Sequence, residues 1–137
     1  MPAKRVLLVD DNAVVRSFVR QLFEFQSDFE ISGEAENGRE ALKEAKKLKP
    51  DLIILDLIMP IMNGFDAAPL LRQLLPETRI ILFTQQEGSE VERLARAAGI
   101  DAVVSKSQAA SELVLKAQAL LDSIEQEHGA AKFRSAS

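Results

Sequence analysis

The 137-residue chain contains no cysteine, which excludes a disulfide scaffold, a thiolate metal site and a cysteine nucleophile. It has a single histidine, His128, near the C-terminus, so a histidine-based catalytic centre or a multi-histidine metal site is excluded too. Long apolar runs are also missing: the longest are about four residues, too short to span a bilayer. Met1 to Arg5 is followed by only four apolar residues before Asp10, which does not make a secretory leader, and a cytoplasmic location is expected by default. Basic residues are not in excess: 17 stand against 21 acidic ones, a net charge of -4. Direct nucleic-acid binding is therefore not expected, nor is membrane insertion. Hydrophobic residues make up 47% and charged residues 28%, a globular composition. The length fits one domain, and a chain of this size buries roughly two-thirds of its unfolded surface.

Short apolar runs recur at even spacing: Val6-Leu7-Leu8-Val9, Leu52-Ile53-Ile54-Leu55, Ile80-Ile81-Leu82-Phe83 and a weaker Ala102-Val103-Val104. Each is strand-sized and β-branched-rich, as expected of strands covered on both faces. A further segment, Phe29 to Ala35, alternates. Phe29, Ile31, Gly33 and Ala35 share one side, and Glu30, Ser32 and Glu34 the other, which suits a sheet edge.

Between these runs the period becomes helical. Val15, Phe18, Val19 and Leu22 fall on one face, as do Val91, Leu94, Ala95 and Ala98. Leu113, Ala117, Leu120, Leu121 and Ile124 make a last helix. Ala41, Leu42, Ala45 and Leu48 make a shorter one, entered through Asn37-Gly38 and closed before Pro50. Its lysine-rich run 43–47 reads as a solvated face. Periodicity stops near Glu127, so the folded part is expected over 4–126 and a flexible tail over 127–137, with His128 solvated in it.

Five βα units of this kind predict a doubly wound α/β domain, a three-layer (βα)5 sandwich of flavodoxin-like type. Its parallel sheet takes the order 2-1-3-4-5, with right-handed crossovers. Ligands of open α/β sheets sit at the carboxyl ends of the strands, near the reversal in strand order. Here that reversal lies between strands 1 and 3.

Strand 1 ends in Asp10-Asp11, strand 3 in Asp56 and strand 4 in Thr84, and Lys106 follows strand 5. Each has an ordinary reading taken alone. An acid after a strand is usually a turn residue or a cap, and Asp11-Asn12 would start a helix. Together they converge on one rim. Three clustered carboxylates repel and raise their own pKa values unless a cation sits among them. Oxygen ligands without His or Cys favour a hard ion, Mg²⁺ or a similar metal, which leaves room for a phosphoryl oxygen. Lys106 would cover a second phosphoryl oxygen as a point charge and Thr84 would donate to a third. A carboxylate is also a competent nucleophile toward phosphorus.

Val6-Leu7-Leu8-Val9-Asp10-Asp11, the run from Asp51 to Pro60, Met62-Asn63-Gly64, Thr84 and Ser105-Lys106 together resemble the receiver domain of two-component response regulators. The resemblance covers about residues 4 to 126 and implies a switch rather than an enzyme. It implies that Asp56 is the phosphoacceptor, with Thr84 and Lys106 as phosphate contacts. It further implies Mg²⁺ held directly by Asp11, Asp56 and the backbone carbonyl of Ile58, with Asp10 acting through water. The implied partners are a sensor histidine kinase or phosphotransfer protein upstream and an effector protein downstream. The effector would be met on the face of the fourth helix, fifth strand and fifth helix, and a homodimer is compatible with the pattern. No output domain is expected after the receiver; the same chemistry serves a phosphate sink or relay.

Four positions depart from the family pattern. Val103 stands where many receivers carry an aromatic, and Ser107 replaces a common proline, leaving the geometry of its peptide open. Gln85 is large beside the phosphate pocket and narrows it unless it points away. Pro69 falls inside the expected third helix, which predicts a late start or a bend. Two rival readings are weaker. A haloacid-dehalogenase-like phosphatase needs Asp-x-Asp after strand 1, and the third residue here is Asn12. A flavodoxin-like electron carrier needs a Ser/Thr/Gly-rich phosphate loop, which Asp10-Asp11 would repel.

Overall fold

A computed structural model describes residues 2–122. Ile124, His128, the boundary expected at 126 and the expected tail lie outside the described residues. In chain order the elements are β1 (Lys4–Val9), α1 (Ala13–Glu24), β2 (Phe29–Ala35), α2 (Gly38–Leu48), β3 (Leu52–Leu55), α3 (Gly64–Leu74), β4 (Arg79–Thr84), α4 (Ser89–Ala97) and β5 (Ala102–Ser105). A last helix, α5, occupies 110–122. The strands form one parallel sheet in the order β2-β1-β3-β4-β5, as the alternation predicts.

The unbroken apolar runs are buried because successive side chains enter two different cores. Leu7, Val9, Ile53, Leu55, Ile80 and Leu82 pack against Ala41 and Ala45 of α2, Ala67, Ala68 and Leu71 of α3, and Ala95 of α4. Val6, Leu8, Leu52, Ile54, Ile81 and Phe83 pack against Val19 and Phe23 of α1 and against Leu113, Val114, Ala117 and Leu121 of α5. Burying one such Leu or Ile contributes about 1.5–3 kcal/mol, so a single-residue slip of β1 or β3 is strongly disfavoured.

Two expectations fail, each for a local reason. On α1, Phe18 is 51% exposed and Phe23 is fully buried. The inward row runs from half-buried Val15 to buried Val19 and Phe23 at intervals of four. Phe18 lies one residue, about 100°, off that row. On β2, the alternating set is split between faces. The register passes from Val6↔Ile31 to Leu7↔Gly33, so Ser32 is an extra residue. This is a β-bulge, uncommon in parallel pairs. Phe29 and Ile31 join the α1/α5 core, whereas Ala35 joins the other. The Ser32 hydroxyl donates to the Val6 carbonyl at 3.2 Å, satisfying an acceptor at the interrupted ladder. Beyond the bulge, Glu34 is turned toward α1.

Pro69 neither delays α3 nor interrupts it: the helix starts directly after Asn63 and runs through to Leu74. Proline removes the N–H that would reach the Phe65 carbonyl. The far end of the helix is tied down instead. Arg72 donates to the carbonyls of Gly99, Pro76 and Thr78 and to the Asp101 carboxylate at 2.5–3.2 Å.

Candidate functional site

The loop after β3 is fixed by close backbone approaches. The Asp56 N–H donates to the Val9 carbonyl at 2.8 Å, and the Gly64 N–H to the Leu57 carbonyl at 2.8 Å. A Cβ on Gly64 would lie 2.4 Å from the Asp56 carbonyl oxygen, so α3 starts this close to the site only because residue 64 is glycine. Gly38 at the start of α2 likewise abuts Met62, its N–H donating to the Met62 carbonyl at 2.9 Å. Within this loop Ile61 has φ 70°, a left-handed conformation that strains a β-branched residue.

Asp10, Asp11, Asp56, Ile58, Thr84 and Lys106 all line one open cleft of about 250 Å³ at the carboxyl ends of β1, β3, β4 and β5. Asp10, Asp11 and Asp56 each offer a carboxylate oxygen, and these lie within 4.8 Å of one another. Asp10 and Asp56 are buried and Asp11 is exposed. Lys106 extends its ammonium to Asp10 Oδ2 at 2.8 Å and to Asp56 Oδ2 at 3.3 Å, with Nζ 5.8 Å from the Phe83 ring centroid. The Leu57 N–H donates to Asp56 Oδ1 at 2.8 Å, and the Asn12 N–H to Asp10 Oδ1 at 2.9 Å. Asn12 in turn caps α1, accepting from Val14 N and Val15 N, so the ordinary helix-start reading holds for Asn12. Thr84 is buried, and its hydroxyl oxygen accepts from Gln86 N at 3.2 Å, leaving its proton free to donate. Gln85 stands on the cleft wall with an exposed side chain. The peptide before Ser107 is trans.

The charges explain the electrostatics. Burial, and then the Asp10 carboxylate, push Asp56 above the usual carboxylate range despite the opposing pull of Lys106. Burial works against the Lys106 ammonium, but Asp10 and Asp56 outweigh it and hold its pKa above the ordinary value. Lys106 therefore stays charged and offsets part of the acid cluster. An all-oxygen set of three convergent carboxylates suits a hard divalent cation.

Two polar residues at the edge of the site were not singled out by the sequence. Arg16 donates to the Asp10 carbonyl at 2.6 Å and to Glu34 Oε1 at 2.9 Å. Their signal is faint. Arg16 and Arg20 are an i, i+4 pair, but strict alternation puts Glu34 on the wrong face, and nothing in the sequence marks the bulge.

The model of the response regulator receiver domain matches residues 6–118. A putative transcriptional regulator of Pseudomonas aeruginosa is 41% identical over 117 residues, covering 85% of this chain and 56% of the relative. The response regulator protein VraR of Staphylococcus saprophyticus is 38% identical over 114 residues, covering 82% and 54% respectively. The chain thus spans about half the length of these curated relatives. Among solved structures, a LuxR-family two-component response regulator from Aurantimonas sp. SI85-9A1 superposes with a TM-score of 0.85 at 33% identity, covering 89% of this chain and 87% of that one. A CheY-like receiver domain protein from Methanospirillum hungatei JF-1 also gives 0.85, at 27% identity, covering 92% and 99%. Neither rival reading, phosphatase or flavin carrier, finds support in these relatives. Sequence motif, sheet order and relatives agree: the chain belongs to the response regulator receiver domain family.

Proposed function

We propose that this receiver takes a phosphoryl group onto Asp56 and passes the signal on by contact with a protein partner. The observation that carries the reading is the convergence of three carboxylates, one lysine and one buried threonine on a single cleft, supplied by four strand ends. Asp56 is the central acid: it is buried, it is fixed by the Leu57 N–H, and it faces the cleft beside Lys106. Its carboxylate oxygen attacks phosphorus, the bond from phosphorus to the donor nitrogen or oxygen breaks, and the donor leaves with that electron pair. Asp10, Asp11 and Asp56, with the Ile58 carbonyl, are the groups to hold Mg²⁺. Bound there, the ion supplies charge neutralisation for the incoming phosphoryl oxygens. Lys106 and Thr84 then meet the transferred group by charge and by hydrogen bond.

The upstream donor in this reading is a histidine kinase or phosphotransfer protein. The downstream surface is the face of α4, β5 and α5. No helix among the described residues is long and apolar enough to cross a membrane. The test is an intact-mass measurement after incubation with acetyl phosphate and Mg²⁺. One added phosphoryl group is expected on the wild-type chain and none on Asp56→Asn, because an amide is neither nucleophile nor good metal ligand. Equal labelling of the variant overturns the acceptor.

A further inference from the structure

Besides the sheet hydrogen bond from its N–H to the Ala35 carbonyl at 3.0 Å, Asp10 is gripped from three directions, and one of them leads away from the cleft. Its carboxylate takes Lys106 and the Asn12 N–H. Its main-chain carbonyl, part of the peptide that joins Asp10 to Asp11, accepts from Arg16 Nη1 at 2.6 Å. Arg16 is largely buried, with its side chain 13% exposed. Its Nε donates to Glu34 Oε1 at 2.9 Å, and its Nη2 lies 3.6 Å from Glu36 Oε1. Glu34 reserves its other oxygen for Arg20, at 2.5 Å and 3.0 Å. The bulge at Ser32 makes this possible by turning Glu34 to the α1 side of the edge strand.

A guanidinium has a rigid fork, so holding one edge on Glu34 fixes the direction of the other. That direction lies along the carbonyl of the Asp10–Asp11 peptide, which Arg16 holds at 2.6 Å. The Asp11 side chain leaves the next Cα and lines the cleft with Asp56, so the plane of this peptide bears on where that side chain points. Arg16 carries little net charge into the cluster, because Glu34 and Glu36 balance it; its action is geometric.

We propose that Arg16, oriented by Glu34 across the β2 bulge, is a positioning residue that sets the Asp10–Asp11 peptide for divalent-cation binding. The inference rests on the reading of the acid cluster as a Mg²⁺ site. Groups that orient metal ligands change affinity by about 10–100-fold when removed.

The test is calorimetric titration of Mg²⁺ into the full chain, with thermal melting in chelator alongside. Arg16→Met is expected to weaken Mg²⁺ binding about tenfold. Glu34→Gln shifts it the same way by less, and Arg16→Lys recovers part of the loss, because an amine reaches one acceptor but not both. Arg20→Met removes the outer partner of Glu34 and lowers the melting temperature, but leaves Mg²⁺ affinity at the wild-type value. That contrast separates positioning from general support of the fold. Wild-type affinity in both Arg16→Met and Glu34→Gln overturns the inference, as does an equal loss in Arg20→Met. Should Arg16→Met not fold, Glu34→Gln and Arg16→Lys decide in the same way. A wild-type chain that binds no Mg²⁺ overturns the metal reading together with the inference. A wild type that binds Mg²⁺ and is phosphorylated, with variants that match it, overturns the inference alone.

Discussion

Helices α1, α2 and α3 start on Asn12, Asn37 and Asn63, each of which accepts hydrogen bonds from the first turn through its side chain. Helix α4 starts on Gly88, at φ 120°, with no side-chain cap. The burial differs in the same sense. Helix α3 buries Gly64, Ala67, Ala68 and Leu71, whereas α4 buries Ala95 alone. The acids thus stand on the firmly anchored part of the molecule. Thr84 stands at the junction with the lightly anchored part. A binding site needs fixed donors, and a switch needs an element whose alternative positions differ little in free energy. The two requirements are met by different helices.

The sharpest way to break the anchored side is Gly64→Val. A Cβ there meets the Asp56 carbonyl oxygen at 2.4 Å and Leu57 Cα at 3.0 Å, both backbone atoms that cannot swing aside. The expected loss is about 3 kcal/mol, read as a lower urea midpoint, together with slower phosphorylation because the Asp56 loop moves. An unchanged midpoint would show that α3 can slide outward at little cost.

Smaller and of opposite sign are two changes in the same loop. Asn63→Ala removes the cap of α3, which accepts from Asp66 N at 2.9 Å, and should destabilise by about 1 kcal/mol. Ile61→Gly relieves a β-branched residue at φ 70° that is 75% exposed and so makes little packing. It should stabilise by about 1 kcal/mol. Chemical denaturation of both variants checks the pair of signs. If Ile61→Gly destabilises, that side chain is held by contacts worth more than its strain.

Much of the anchored side was legible from residue order, and little of the rest. Unbroken apolar runs identified β1, β3 and β4, since strands covered on both faces carry no polar alternation. Sheet order and the convergence of Asp10, Asp11, Asp56, Thr84 and Lys106 followed from the βα repeat, because strand ends are where such a fold gathers side chains. The bulge in β2 did not follow. An inserted residue on an edge strand leaves the local pattern intact and shows only through pairing, so alternation assigns Glu34 to the wrong face and its contact with Arg16 is not legible. Nor did the exposure of Phe18, because a helical period leaves the centre of the buried row uncertain by one residue.

Asp56, the proposed acceptor, gives a pH test of the comparison. Burial and Asp10 raise Asp56 above its ordinary value of 3.8, so between that value and its folded pKa the native state binds more protons than the unfolded state. Stability from this group is therefore present at low pH and lost as pH rises through that window. In chelator at neutral pH, Asp56→Asn should melt higher than wild type, and the difference should close on acidification toward the ordinary value. Glu34 has the opposite sign. Burial raises its pKa, but Arg20 and Arg16 outweigh this and hold it below the usual range. Its contribution is present above the ordinary value of 4.5 and lost as pH falls through its folded pKa. A melting difference between wild type and Asp56→Asn that does not depend on pH would show that the aspartate is not the group under strain.

The smallest expected effect lies on the lightly anchored side. Glu87, in the loop between β4 and α4, accepts through Oε1 from the hydroxyls of Ser105 and Ser107, which flank Lys106. These hydroxyls hold the fully exposed Glu87 carboxyl below its usual range. The contact ties the loop that follows Thr84 to the segment that carries Lys106. Where many receivers have a strand-5 aromatic to swing, Val103 is half-buried and stiff at χ1, so under the proposed function the response is expected to run through the loop and α4. Because the contact is solvent-exposed, Glu87→Ala, which removes the accepting oxygen that a glutamine would keep, should leave the melting temperature where it is. It should speed hydrogen exchange in the first turn of α4, which has no side-chain cap to fall back on, and leave the first turns of α1 and α3 untouched. The same variant should show larger amide shifts in α4 when a phosphoryl mimic is added, and Thr84→Ala should show almost none. Faster exchange spread evenly over all the helices, or an α4 response that survives in Thr84→Ala, would mean that the loop is not the hinge between the anchored site and the free helix.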